Sequence, residues 1–328
     1  MCTKKNEFEK SVGKTTLPPI KNLKLEMKMR GKYLTNFKNK CKNTNVIHNN
    51  IFWLFIKPYT YLNAYGNISR NKGSTTPGLD KETLSGFSMV KCEKIAKDFK
   101  NQKYNPTPVK SVYVPKPNKK EKRPLGIPNI NDRIVQEAIR GALEAIYEPI
   151  FQELDKKSKL KVNNFGFRPT LGCWDAIERF TIYGQGINMV IEGDIKGAYD
   201  NVDHDILLTI LRKRIKDKKF LKLIKLFLKA GVMDNGEYRH SLLGVPQGGI
   251  VSPILFNIYM MELDNYIVEL FNEWEKTNES IPNPSKDSYY QKMARRTRIK
   301  LKEAKQEKDP KQKKQIIKEF KKKQNQLF

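Results

Sequence analysis

The basic side chains of this sequence are crowded toward its two ends, and that distribution decides which part of the chain can close around a core. Residues 1–45 carry 12 basic and 3 acidic side chains, residues 286–328 carry 16 and 5, and the body between them holds only +8 of the +28 net charge. Lysine-rich ends resist burial, so the core belongs to the body, where a hydrophobic content of 38% for the whole chain suffices for one large or two modest cores. The ends read either as solvated arms that grip phosphates or as tails without a dedicated ligand. A positive field of this size draws in polyanions, and nucleic acid is the first partner to expect.

Other classes are set aside by what the chain lacks. Cys2, Cys41, Cys92 and Cys173 form no CxxC pair, and His48, His204 and His240 sit at no metal-ligand spacing, which argues against a zinc site or a disulfide framework. The apolar run Ile51–Ile56 has six residues, whereas a membrane span needs about 20. An intracellular or organellar soluble protein without membrane contact is expected. Residues 1–30 lack a secretory signal, and Glu7, Glu9 and Glu26 are unlike an imported presequence. Richness in Lys, Asn, Ile, Phe and Tyr suits an AT-rich genome, as organelle genomes often are.

Periodicity organises the body. Asn45–Tyr65 reads as an aromatic helix, and Gly73–Gly78 as a break. Lys110–Pro115 and Pro124–Ile127 read as a hairpin with a basic tip. Apolar residues from Asn131 to Phe151 recur at helical spacing, with Asn131 or Asp132 as the cap. A helix is expected near Trp174–Phe180, a buried strand over Met189–Ile195, and helices over His204–Ile215, capped by Asp203 or Asn201, and over residues 218–230. Gly236–Leu243 suggests a turn and a strand, Gly244–Ser252 a glycine-rich loop, and Pro253–Leu270 a long helix. Beyond Thr277 the composition turns polar and charged, as in an exposed helical or disordered extension.

Three stretches have the residue types that phosphate chemistry needs. In Val190–Asp200, Asp194 ends an apolar run and precedes Gly197; a carboxylate there can hold Mg²⁺ while backbone amides approach a triphosphate, or it can simply cap a turn. Glu192, two residues earlier, would share its strand face. The loop Gly244–Pro253 combines three glycines with Gln247, suited either to close approach of a nucleotide or to an ordinary entry into a helix. Lys116 and Arg123 flank the hairpin tip, where they can close on a triphosphate or form a solvated basic turn.

In chain order these stretches, with Lys72–Asp80, Asn164–Pro169 and Ile254–Tyr259, resemble the successive blocks of group II intron-encoded reverse transcriptases/maturases over residues 50–270. The resemblance implies an α+β right-hand polymerase fold: a basic arm (1–49), fingers (50–185), an incomplete palm (186–276) and a basic extension like a truncated insertion (277–328). It implies an RNA-directed DNA polymerase with RNA, DNA primer and dNTP as partners and Mg²⁺ as cofactor, in an organelle, the mitochondrion before the chloroplast. Asp194 would be the catalytic metal-binding aspartate, with Ile195 lending its carbonyl to the metal. Lys116 and Arg123 would grip the triphosphate, Gly197 and Ala198 would lie beneath it, Tyr199 would exclude a ribose 2′-hydroxyl, and Gln247 would flank the incoming nucleotide. Tyr199 as a packed aromatic and Arg168 as a structural brace are the plainer readings.

Such enzymes take two further metal-binding aspartates from a Tyr-x-Asp-Asp hairpin, whereas the aspartates after Gln247 are Asp264, Asp287 and Asp309, none paired. The chain is therefore expected to be a fragment, a split-gene half or a decayed copy. It would be inactive unless a second polypeptide supplies the rest of the palm; a splicing cofactor that binds intron RNA without chemistry is the alternative. A palm strand left without a neighbour would expose an apolar edge.

Overall fold

The computed structural model describes residues 35–71, 73–115, 122–158, 164–184 and 192–277. The chain divides into two compact units, Met1–Asn265 and Tyr266–Phe328. The sheet and every site discussed below lie in the first; in the second, 266–277 are helical. The amino-terminal arm up to residue 34 and the extension from 278 lie outside the described residues.

Helical residues 35–41 (α1) lead to an aromatic stretch that does not form the single helix its composition suggests. Phe52–Leu54 makes one 3₁₀ turn, Lys57 is extended, and α2 (Pro58–Ile68) starts on its proline. The cause is Pro58: it disfavours helical backbone at the residue before it, and at the first helical position it needs no amide donor. The turn is fastened by Asp217, whose Oδ2 accepts the amides of Ile51 and Phe52, each at 2.7 Å, while its Oδ1 accepts those of Lys219 and Phe220 at 3.0 and 3.1 Å. One buried carboxylate thus caps α7 (Lys218–Leu228) and holds a segment 165 residues away. The rings of Phe55, Tyr61, Phe99, Tyr104, Phe220 and Phe227 meet above it, Phe99 and Tyr104 stacking at 4.4 Å.

After α3 (Met89–Lys100), β1 (Val109–Pro115) and β2 (Lys122–Ile127) form the expected hairpin, in register from Lys110 opposite Ile127 to Pro115 opposite Lys122. Its tip, with Lys116, lies outside the described residues. Helix α4 (Ile130–Lys157) begins earlier than its periodicity suggests, and neither Asn131 nor Asp132 caps it. Asp132 accepts hydrogen bonds from Tyr104 and Thr107. Asn129, at the cap position, accepts the amides of Leu79 and Asp80 at 2.7 and 3.3 Å. Arg133 completes the join by donating to the carbonyls of Pro128 at 2.8 Å and Thr76 at 2.6 Å, so the 73–80 loop is sewn to the start of α4.

Arg168 braces the fold. Its guanidinium, 3% exposed, donates to Glu148 (2.8 and 3.1 Å), Asp155 (2.8 Å) and the Asn164 carbonyl (3.0 Å). Helix α5 (Cys173–Tyr183) leaves Trp174, Ile177 and Phe180 exposed. Of the two cap candidates for α6 (His204–Arg214), Asp203 makes the bonds, accepting the amides of Asp205 and Ile206, while Asn201 donates to the Lys196 carbonyl.

β3 (Val232–Asp234) and β4 (Glu237–Arg239) turn through Asn235 and Gly236, both at positive φ, as a two-residue Asn-Gly hairpin requires. β3 runs parallel to β1, pairing Val109 with Val232 and Lys110 with Met233, and the sheet order is β2-β1-β3-β4. The strand ends at Arg239, short of the expected Leu243. Of the expected strand Met189–Ile195, residues 189–191 lie outside the described residues; Glu192–Ile195 are irregular and exposed, not a buried strand, and the shared strand face of Glu192 and Asp194 is not formed. Among the described residues no strand pairs with them, so their amides have no ladder to join. The last helix, α8, spans Ser252–Thr277.

Arg168→Ala removes the guanidinium shared by two partly buried carboxylates, Glu148 and Asp155, and a loss of about 3–5 kcal/mol in urea unfolding is expected. Burial, with the nearby Asp155 charge and against the pull of Arg168, raises the Asp264 pKa to about 6. The unfolded chain ionises near 3.9, so the folded state binds the extra proton and its stability falls as pH rises from about 4 to about 6. Urea midpoints across that window are expected to show the decline and Asp264→Asn to flatten it.

Candidate functional site

The glycine-rich loop 244–249 is gripped by backbone groups on both sides. On one side the Gly244 amide donates to the Val202 carbonyl and the Val245 amide to the Tyr199 carbonyl, both at 2.8 Å. On the other the Gly126 amide of β2 donates to the Gln247 carbonyl at 2.6 Å. Gly244 (φ +84°) lies so close to the 199–202 turn that a Cβ would sit 2.8–3.0 Å from the Asp200 backbone; at Gly248 (φ +100°) it would overlap the Gly126 carbonyl. Side chains lock the loop from below. His204 Nε2 donates to the Gly244 carbonyl at 2.7 Å, Ser252 Oγ to the Pro246 carbonyl at 2.8 Å, and Gln136 Oε1 accepts the Ile250 amide at 2.7 Å.

Between this loop and the four strands opens a cleft of about 470 Å³, whose lining includes Ser111, Tyr113, Gly126, Asp200, Asp234 and Gln247. Asp234 is 4% exposed; its Oδ2 accepts the Tyr113 hydroxyl at 2.9 Å and faces Arg239 at 3.2 Å, while Oδ1 has no hydrogen-bond partner among the described residues. Gln247 Nε2 stands 3.4 Å from each carboxylate oxygen of Asp200, a long contact that leaves the amide available to a ligand.

The residues singled out in the sequence are only partly brought together here. Gly197 (φ +61°) opens the turn in which the Asp200 amide returns to its carbonyl at 3.0 Å, and Ala198 and Tyr199 are half-buried behind it. The Tyr199 ring stacks on Phe256 of α8 at 4.7 Å and 21°, and burial raises its hydroxyl pKa. Gln247 lines the cleft; Asp194 and Ile195 are exposed in the 192–195 segment and do not. Arg123 is exposed opposite Val114 and alternates with the cleft-lining Pro124 and Gly126, which puts it on the other face of the hairpin. Lys116 lies outside the described residues. Sequence reasoning missed Asp200, Asp234 and Tyr113 as cleft residues: Asp200 stood in the quoted stretch without a role, and the Asp234–Gly236 turn signal says nothing of where the carboxylate points.

Among the described residues no group of three His, Cys, Asp or Glu side chains could hold a metal. Asp194 and the Ile195 carbonyl are oxygen donors of the kind Mg²⁺ takes, but one carboxylate falls short of the set that bridges two ions.

Residues 114–277 match the family described as reverse transcriptase (RNA-dependent DNA polymerase). The chain belongs to that family. Within it, the similarity is to group II intron-encoded proteins: it is 39% identical over 239 residues to the group II intron-encoded protein LtrA of Lactococcus lactis subsp. cremoris, covering 73% of this chain and 38% of that one. A 91 kDa protein in a cob intron of Schizosaccharomyces pombe is 39% identical over 215 residues (66% of this chain, 25% of the other), and the mitochondrial protein ymf11 of Marchantia polymorpha 29% over 163 residues (50% and 20%). The chain thus spans about two fifths or less of the length of these relatives. Among solved structures, a partial Cas6-RT-Cas1–Cas2 complex matches with a TM-score of 0.42 and 22% identity over 66% of this chain and 34% of that one.

Gly244→Ala is expected to lower stability by about 1–3 kcal/mol, because it combines a strained φ with a backbone clash that no rotamer relieves. Thermal melting compared with Gly236→Ala, where a Cβ meets nothing, separates the clash from the φ penalty.

Proposed function

We propose that this chain is the fingers and the first part of the palm of a group II intron reverse transcriptase, and that it engages an RNA template or intron RNA with a dNTP at the cleft. The observation that carries the reading is the Gly126–Gln247 backbone bond together with the Val245–Tyr199 bond: three of the sequence blocks that resemble the family meet along one cleft. Gln247 and the Gly197–Tyr199 turn would meet the incoming nucleotide. Asp194 and Ile195 would contribute to Mg²⁺ binding, and Lys116 would approach the triphosphate from the hairpin; Arg123, on the face turned away from the cleft, would need that hairpin to turn before it could join Lys116. Tyr199, half-buried on Phe256, offers a ring edge for discrimination at the sugar.

Polymerisation calls for carboxylates beyond Asp194, from a second polypeptide or further chain. The net charge of +28 favours a second reading, an RNA-binding splicing cofactor that holds intron RNA through phosphates and shape. The Marchantia relative's description as mitochondrial supports an organellar setting, the mitochondrion before the chloroplast.

Primer extension on an RNA template with Mg²⁺ and dNTPs, comparing the chain with Asp194→Ala, tests the assignment. Extension abolished by the substitution is expected if the site is completed. Extension that survives it removes Asp194 from the role, and no extension from either, with salt-sensitive RNA binding retained, leaves the cofactor reading.

A further inference from the structure

A second cavity, of about 220 Å³, lies among α4, α6 and α8 and shares no residue with the cleft. Tyr147 lines it. The side chain is fully buried, yet its hydroxyl has no hydrogen-bond partner among the described residues. Buried polar groups are normally paired, and this hydroxyl stands in the cavity wall closed to water and without a partner, so a ligand that drew it inward would satisfy it. Burial raises its pKa far above the ordinary tyrosine range, which keeps the proton on and makes it a donor.

The rest of the lining points to an anion. Lys157, Lys213 and Arg214 contribute three positive charges against Glu153 and Glu262. Lys157 pairs with Glu153 at 3.2 Å and Lys213 with Glu262 at 2.8 Å, while Arg214 forms no ion pair among the described residues. The surplus is therefore one positive charge, held by the side chain whose planar fork matches two oxygens of a phosphate. Asn265 adds an amide at the same cavity. A phosphodiester carries one negative charge and has two free oxygens, which matches this surplus and these donors. In a chain of net charge +28 that belongs to a nucleic-acid polymerase family, such a group is abundant in the expected partner.

We propose that the α4–α6–α8 cavity seats one phosphodiester of bound nucleic acid, with the Arg214 guanidinium and the Tyr147 hydroxyl donating to its oxygens. It is a second anchor point for the strand, separate from the cleft, and it rests on the nucleic-acid-binding reading above. Lys157 and Lys213, held by their carboxylates, shape the rim and leave the seat itself to Arg214.

The test is binding of the full chain to single-stranded RNA, and to DNA of the same sequence, titrated between about 50 and 200 mM salt. Arg214→Gln and Tyr147→Phe are compared with Arg212→Gln, which removes the same charge from an exposed position on the same helix. Arg214→Gln and Tyr147→Phe are each expected to weaken binding by roughly tenfold, with Arg214→Gln reducing the salt slope by about 0.7–0.9. Arg212→Gln should weaken it less. Arg214→Lys keeps the charge and loses the fork, so it should preserve the slope while still weakening binding. Thermal melting of each variant identifies any loss of fold. Equal loss on RNA and DNA marks the shared backbone as the occupant; loss confined to RNA marks the RNA strand. Arg214 variants no weaker than Arg212→Gln, or Tyr147→Phe binding as the parent does, would overturn the site. A parent chain that binds neither strand removes the functional reading itself, a result distinct from binding that ignores these substitutions.

Discussion

The glycine-rich loop makes no regular secondary structure, yet the cleft depends on it. It touches the 199–202 turn through two amides and β2 through one carbonyl, and at both contacts the partner is backbone. Backbone meets backbone this closely only where no Cβ intervenes, which is why Gly244 and Gly248 stand where they do and why both occupy positive φ. Remove that closeness and the turn, the hairpin and α8 lose their common reference. Gln247 would then have no fixed position relative to Asp200.

Around the loop, buried carboxylates and guanidinium groups do the fastening that short strands cannot. Asp217 holds the 3₁₀ turn against α7, Asp132 and Arg133 gather Tyr104, Thr107 and the 73–80 loop at the start of α4, and Arg168 spans α4 and the 164–168 segment. β3 and β4 are only three residues each, so the sheet gains rigidity from such cross-links more than from its ladder. Anchored polar networks of this kind add to what the apolar core supplies.

The two cavities divide the recognition problem. The cleft offers hydrogen-bonding groups on glycine-lined backbone, suited to the edge of a nucleotide. The α4–α6–α8 cavity offers a surplus cation and a buried hydroxyl, suited to a phosphate. Under the proposed function, one would read a base or sugar closely, and the other would take hold of a strand wherever a phosphodiester arrives.

Much of this was legible along the chain. Alternation over Lys110–Ile127 marked the hairpin, 3.6-residue spacing marked α4, α6, α7 and α8, Asp203 stood among the cap candidates, and the ordered blocks carried the family. Those features are local or depend on order alone, and neither requires knowing what lies opposite. What only tertiary structure decided is which groups meet. Neither Asn131 nor Asp132, the expected caps, caps α4: the Asp132 oxygens are claimed by Tyr104 and Thr107, and Asn129, which holds the cap position, accepts instead from a loop 50 residues away. Pro58 divided an aromatic run that composition alone joins. Glu192–Ile195 stay irregular because a strand exists only where a neighbour supplies its ladder, and Arg214 and Tyr147 came to line one cavity only when α4 and α6 packed beside α8. A sequence specifies the hydrogen-bonding groups and charges; the distances between them, on which binding depends, appear when the chain closes on itself.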